Sequence, residues 1–169
     1  MSGRSKLVFL LLVAVQAAHS AEEYVTRLYE IFLPAKFVSG LVSDDLRIGF
    51  IVINAAIIVL GAWCYLFPVR SGLRAGWVVA WLWLIIETAN GIGHLLIAAS
   101  VGGYFPGVLT GVALVVVAVS LGFSLTMDKR NQQRLRSPPN NRMQRTVQNV
   151  MHFACAKCAP FCSAADAWR

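Results

Sequence analysis

The sequence predicts an all-α, polytopic membrane protein: a four-helix transmembrane bundle followed by a short cytoplasmic tail. Hydrophobic residues make up 57% of its 169 residues, charged residues only 14%, and the mean hydropathy is +0.64. That composition is too apolar for an ordinary soluble domain of this length. The apolar residues also fall into long runs, and a helix needs about 20 residues to cross the roughly 30 Å hydrocarbon layer. We therefore predict a membrane domain over residues 1–128 and a basic tail, expected to be disordered, over residues 129–169.

The first apolar run allows two interpretations. Residues 7–18 follow Arg4 and Lys6 and precede a small-x-small pattern, which is also typical of a cleaved secretory signal peptide. On the other interpretation, a first spanning helix continues to Leu33, because no glycine or proline interrupts residues 7–33 and Pro34 is a natural stop.

Three later runs are each long enough to span a membrane, namely residues 48–69, 75–99 and 106–127. Short loops that are rich in Lys and Arg stay in the cytoplasm. Basic residues precede the first span, separate the second from the third and follow the fourth, so four spans place both termini in the cytoplasm. The net charge of +7 is then explained by topology and tail, and we expect the lipid bilayer, and no nucleic acid, as a partner.

Ionisable residues interrupt two of the apolar runs, and such residues are costly at membrane depth unless they have a role. Residues spaced by three, four or seven share one face of a helix. The first helix carries such a set, and so does the third. The sets are His19, Glu22 and Glu23 on the first helix, and Glu87, Asn90 and His94 on the third.

The two sets also lie at overlapping depths. At a rise of 1.5 Å per residue, Glu23 lies about 24 Å along the first helix, and His94 about 27 Å along the third. Asn54, about 9 Å below the start of the second span, falls in the same layer. The sequence therefore predicts one polar site in the outer half of the membrane.

Three short motifs occur in a fixed order along the chain. They are H-x-x-E-E at His19 to Glu23, a further histidine at His94, and Y-x-P-G at Tyr104 to Gly107. With this hydropathy, the chain resembles the HXXEE-motif membrane proteins over about residues 7–127. The resemblance implies a small bacterial inner-membrane protein that keeps its motif in the mature chain. The family's function is unknown, and it is suspected to be a membrane enzyme.

The first functional hypothesis is a metal-dependent enzyme. Histidines and carboxylates from facing helices bind metals in bundle cores, and His19 and Glu22 form a Glu-x-x-His pair in reverse order. A divalent zinc or iron would be held by His19, His94 and either Glu22 or Glu23, with the remaining carboxylate as general base towards a water molecule. The expected reaction is hydrolysis of a lipid-like or amphipathic small molecule.

The second hypothesis needs no metal. Glu87 would act as general acid, and Glu23 or His19 as base, in an isomerase or hydratase. Asn54 and Asn90 would support the site, and Tyr104 would donate a hydrogen bond to a substrate or to a carboxylate below it. Alternatively, Tyr104 is only an interfacial anchor.

Non-enzymatic interpretations remain open. The same groups could relay protons, or bind or transport a cation or a small ligand, and a homo-oligomer could supply a missing half. They could also only bond helices together, and Glu22 and Glu23 could simply be a solvated helix end. In the tail, the spacing of His152, Cys155, Cys158 and Cys162 could hold zinc or an iron–sulfur centre.

Overall fold

The structure is a computed structural model that describes residues 1–136 and 147–149. The chain divides into two units, Met1–Asp128 and Lys129–Arg169, and the first contains all the elements that matter for the site. The last spanning helix continues into the predicted tail as far as Arg136, so the expectation of disorder was wrong for residues 129–136. Residues 147–149 are also helical, and the rest of the tail, including the cysteine cluster, lies outside the described residues.

The described residues are helical, without a strand. Among them, four helices are long and apolar enough to cross a membrane: Gly3–Val25, Leu46–Val69, Arg74–Val101 and Val108–Arg136. The second of these ends in a π-helical segment at Tyr65–Val69. The predicted all-α fold with four spanning helices is thus confirmed. The elements are α1 (Gly3–Val25), α2 (Leu28–Ile31), α3 (Leu33–Gly40), α4 (Leu46–Cys64), α5 (Arg74–Val101) and α6 (Val108–Arg136).

The first spanning helix ends at Val25, so the prediction that it continues to Leu33 was wrong. Arg27 adopts a left-handed conformation with φ of 55°, which breaks the helix. Thr26 closes the last turn, because its backbone N–H and its hydroxyl both donate to the carbonyl oxygen of Glu22. Glycine usually occupies such a left-handed position, so an arginine there did not indicate the break.

Two short helices follow this break and fold back against α4. Leu28 and Tyr29 of α2 are buried with Phe50 of α4, and the Tyr29 and Phe50 rings lie 5.4 Å apart. Burial of this apolar cluster compensates for the left-handed residue before it. Pro34 stands in the first turn of α3, a position that proline favours, so it starts a helix instead of ending one.

The spanning helices share one core at the end of the bundle that contains the chain's amino terminus. Phe9 of α1 packs on Trp83 of α5 with ring centroids 6.2 Å apart, and Leu121 and Leu125 of α6 are fully buried beside them. At the same end, Asp128 accepts hydrogen bonds from the backbone N–H of Ser2 and the hydroxyl of Ser5. The start of α1 therefore lies beside Asp128 of α6.

At the opposite end, α5 and α6 approach closely. A Cβ atom placed on Gly91 would lie 2.6 Å from the carbonyl oxygen of Gly111, so the backbone of α6 leaves no room for a side chain at Gly91. Small residues allow such close contact between membrane helices. Gly91 lies one turn before His94, and the crossing thereby holds His94 against the beginning of α6.

Candidate metal centre

Three buried side chains from two helices meet at this end of the bundle. Oε1 of Glu23 lies 3.4 Å from Nε2 of His19 and 3.1 Å from Nε2 of His94. One ligand atom from each residue lies within 4.8 Å of the others. The two imidazole rings meet edge to face, with centroids 4.7 Å apart. The structure thus brings together three of the four residues that the sequence suggested as metal ligands.

The orientation of His94 is fixed by a backbone carbonyl. Nδ1 of His94 lies 2.6 Å from the carbonyl oxygen of Pro106. A carbonyl oxygen only accepts hydrogen bonds, so Nδ1 must carry the hydrogen. In the neutral ring, Nε2 then presents its lone pair towards Glu23.

The orientation of His19 is fixed by a hydroxyl and a carboxylate in series. Nδ1 of His19 lies 2.8 Å from Oγ1 of Thr110, and the Thr110 hydroxyl donates to Oε2 of Glu22. Because the hydroxyl hydrogen is directed at Glu22, Oγ1 must accept from Nδ1 of His19. Nε2 of His19 is therefore also a lone-pair atom, and it has no hydrogen-bond partner within the part of the chain that the structure describes.

These tautomers leave three electron-rich atoms facing one another, with no donor hydrogen between them when both histidines are neutral. A cation satisfies all three. Bonds of about 2.0–2.1 Å at a tetrahedral angle place neighbouring zinc ligands about 3.4 Å apart. The observed distances of 3.4 Å and 3.1 Å from Glu23 are close to this spacing, and the ligand atoms of the two histidines lie within 4.8 Å of each other. A carbonyl or hydroxyl acceptor at the other ring nitrogen is also typical of histidines that bind metals.

Glu22 takes a different position from its neighbour Glu23. It accepts hydrogen bonds from the Tyr104 hydroxyl at 2.8 Å and from the backbone N–H groups of Thr110 at 2.8 Å and Leu109 at 3.3 Å. Its carboxylate therefore caps the amino terminus of α6, where free N–H groups and the helix dipole favour a negative charge. The structure does not bring Glu22 into the cluster, because consecutive helical residues point about 100° apart.

The Y-x-P-G segment contributes three separate contacts. Tyr104 bonds the carboxylate of Glu22, one of the two roles considered for it, and Pro106 supplies the carbonyl for His94. Gly107 has a φ of +85°, and a Cβ atom there would lie 2.8 Å from Cε1 of both His19 and His94. Only glycine fits at this point. All three motifs therefore meet at one site.

Tyr104 lies in the loop that joins α5 to α6, at the rim of the cluster. Its pKa is raised above the usual value of 10.0, first by partial burial and then by its hydrogen bond to the negative Glu22. Tyr104 thus stays a neutral hydrogen-bond donor at physiological pH.

Glu87 lies outside the cluster. It is buried on α5, two turns before His94, and its side chain interacts with that of Asn90. Its Oε2 atom has no hydrogen-bond partner among residues 1–136 and 147–149. Gln16 occupies the matching position on α1, two turns before Glu23, and its Oε1 atom is likewise unpartnered there. These two form a separate, deeper polar layer.

Asn54 also lies apart from the cluster. It accepts a hydrogen bond from Ser20 at 2.7 Å, and this bond connects α4 to α1. Its amide donates to the Phe50 carbonyl oxygen within α4.

The sequence analysis did not identify Thr110 or Gln16. Thr110 could have been recognised as a polar residue in the first turn of α6, just after the Y-x-P-G segment.

Comparison with known proteins identifies the family. A family model described as "Protein of unknown function with HXXEE motif" matches residues 10–121, which is more than half of the chain. No curated protein and no solved structure matches the chain. The matched region contains every contact of the cluster described above. The chain belongs to the family of proteins of unknown function with the HXXEE motif.

Proposed function

We propose that this protein is an integral membrane enzyme whose divalent metal is held by His19, Glu23 and His94, and that it hydrolyses a lipid-like or amphipathic substrate. The observation that carries this proposal is the convergence of two imidazole lone pairs and one carboxylate oxygen in a buried site. Two histidines and one glutamate are a ligand set of catalytic zinc, and two histidines with a carboxylate also bind iron.

The number of ligands favours catalysis over a purely structural metal. Structural zinc sites have four protein ligands, whereas three protein ligands leave a position free for substrate. A metal held by these three residues would polarise a carbonyl or phosphoryl oxygen and lower the pKa of a bound water.

The surrounding residues would keep the site rigid and dry. The Glu22–Thr110 pair and the Pro106 carbonyl fix the two imidazoles, so little reorganisation would be needed when a metal binds. Phe105 lies 5.7 Å from the His94 ring, and Phe32 packs edge to face on Phe105. These rings shield one side of the cluster. Tyr104 is 54% exposed, so a substrate would enter beside it.

Topology follows from the placement of charge and forms part of the proposal. Arg4, Lys6, Arg70 and Arg74 all lie at or beyond the helix ends away from the cluster. The positive-inside rule assigns that end to the cytoplasm, and with it both termini. The cluster would then lie near the outer face of a bacterial inner membrane.

A second candidate is proton or cation handling, favoured by the deeper polar layer. Glu87 and Gln16 each bury an oxygen without a hydrogen-bond partner among the described residues, which is costly in a membrane unless a proton, a water or an ion is bound there. Such a layer below the cluster is what a proton path would require.

The test uses the full chain with Cys155, Cys158 and Cys162 replaced by serine, reconstituted in lipid and stripped of metal. A panel of phospholipids and long-chain esters is incubated with this protein, with and without added zinc or iron, and products are measured by mass spectrometry. We expect product only in the metal-loaded protein, and none in Glu23→Gln. Product without metal would contradict the proposal, and so would proton uptake that is lost in Glu87→Gln without any hydrolysis.

A further inference from the structure

A polar cavity of about 490 Å³ opens at the cluster end of the bundle. It lies between the end of α1, the short helix α2 and the segment that leads into α4. Charged groups of both signs line it. They are the guanidinium groups of Arg27 and Arg47 and the carboxylates of Glu30, Asp44 and Asp45.

An apolar groove of about 250 Å³ runs between α1 and α4. Ala17 and Ala21 of α1 and Ile51 and Ala55 of α4 are among its lining residues. These side chains are apolar, as a hydrocarbon chain would require. Tyr24 lines both the groove and the polar cavity. The two spaces are therefore neighbours, with the polar one at the helix ends and the apolar one between the spanning segments.

The groove lies on the face of α1 that points away from the metal centre. At about 100° per residue, Ala17, Ala21 and Tyr24 share one face, while His19 and Glu23 point to the other side of the helix. A molecule in the groove would therefore not contact the cluster.

We propose that this cavity and groove bind one phospholipid whose headgroup carries both a phosphate and an amine. Arg47 is prepared for phosphate: its Nε donates to the Tyr24 hydroxyl at 2.9 Å, and its guanidinium lies 5.7 Å over the Tyr24 ring. Among residues 1–136 and 147–149, no hydrogen bond or ion pair engages its two terminal nitrogens, and these can bind two phosphate oxygens at once. The inference goes beyond the proposed function, because it requires no metal.

The carboxylates supply the other half of the recognition. Glu30 is paired only loosely with Arg27, at 3.8 Å and in an exposed position, and Asp44 and Asp45 stand across the cavity at the start of α4. An ammonium group fits among them. An anionic headgroup without an amine would instead face three carboxylates against two guanidinium groups, so the lining discriminates against it. One acyl chain would occupy the groove below.

The experiment measures lipid retained by the full-length protein after detergent extraction, using native mass spectrometry. The protein is first exchanged into an equal mixture of phosphatidylethanolamine and phosphatidylglycerol with identical acyl chains. We expect one retained lipid per chain, with phosphatidylethanolamine preferred about tenfold. Arg47→Gln should abolish that preference.

Two matched pairs test the groove. Ala55→Trp fills it, whereas Ala56→Trp adds the same ring at an exposed neighbouring position that does not line it. Ala21→Trp and Ala18→Trp form the same pair on α1. Retention should fall at least about tenfold in each groove variant and stay normal in each control. Equal retention of both lipids, or equal effects within both pairs, would show only bulk lipid and overturn the proposal. Unchanged melting temperatures exclude misfolding as the cause.

Discussion

Oε1 of Glu23 lies 3.1 Å from Nε2 of His94, and this contact joins the first and third spanning helices inside the bundle. Both side chains are buried, and His19 completes the group from the same helix as Glu23. The neighbouring Glu22 points elsewhere and caps α6. Adjacent glutamates of one motif therefore have different roles, which can be separated experimentally.

Glu23→Gln should abolish metal binding, whereas Glu22→Gln should leave most of it intact. The first substitution removes the only carboxylate ligand of the cluster. The second weakens the cap of α6 and should lower the free energy of unfolding by about 1 kcal/mol. Metal content and thermal melting of both variants give the answer. Equal metal loss in both would mean that the two glutamates act together.

Thr110→Val should weaken metal affinity by roughly 10- to 100-fold, because it removes the acceptor that fixes the His19 tautomer. The side chain keeps its shape, but the buried Nδ1 of His19 loses its partner and Glu22 loses one hydrogen bond, so the free energy of unfolding should fall by about 1–3 kcal/mol while the fold is kept. Metal affinity is measured by competition with a chelator of known strength. Thr126→Val is the control, because that hydroxyl donates to the Phe123 carbonyl oxygen of its own helix and makes no contact with the cluster. A normal affinity in Thr110→Val would argue against this orienting role.

Gly107→Ala should disrupt the cluster, since its Cβ atom would lie 2.8 Å from both imidazole rings. Gly102→Ala is a matched control, because Gly102 also has a positive φ, of +66°, but a Cβ atom there meets nothing within 4 Å among the described residues. Both variants should lose about 1 kcal/mol to backbone strain. Only Gly107→Ala should also lose metal, and retention of metal there would show that the rings can move aside.

Tyr104→Phe should destabilise the protein in a pH-dependent way. The pKa of Tyr104 is raised above 10.0, so its hydrogen bond to Glu22 contributes fully below that pH and is lost as pH rises through the raised pKa. The difference in melting temperature between wild type and variant should be constant from about pH 6 to 9 and disappear in stronger alkali. A difference that persists unchanged above the raised pKa would exclude this role.

The spanning helices and the position of the cluster along them could be predicted, because both depend on the length of apolar runs and on the constant rise of a helix. Long apolar runs identify spanning helices, and a fixed rise per residue gives His94 and Glu23 similar depths. Helical phase correctly placed His19 and Glu23 on one face. The family motifs then indicated that the Y-x-P-G segment lies at the site, although the separate contacts of this segment were not predictable from the spacing of the motifs.

Other features depend on packing that no local pattern reveals. The left-handed Arg27 is stabilised by distant contacts of Leu28 and Tyr29, so the end of α1 could not be located. The separation of Glu22 from Glu23 depends on where α6 begins, and the tautomers of both histidines depend on Thr110 and Pro106. Glu87 shares a helix face with His94 but lies about 10 Å away along the axis, too far to join the cluster.

The most direct measurement of the central claim is the metal content of the full-length protein, with the three tail cysteines replaced by serine, by elemental mass spectrometry. We predict about one zinc or iron per chain, lost in His19→Ala, Glu23→Gln and His94→Ala and retained in Glu22→Gln. A folded protein that binds no metal, even after incubation with zinc and iron, would contradict the account.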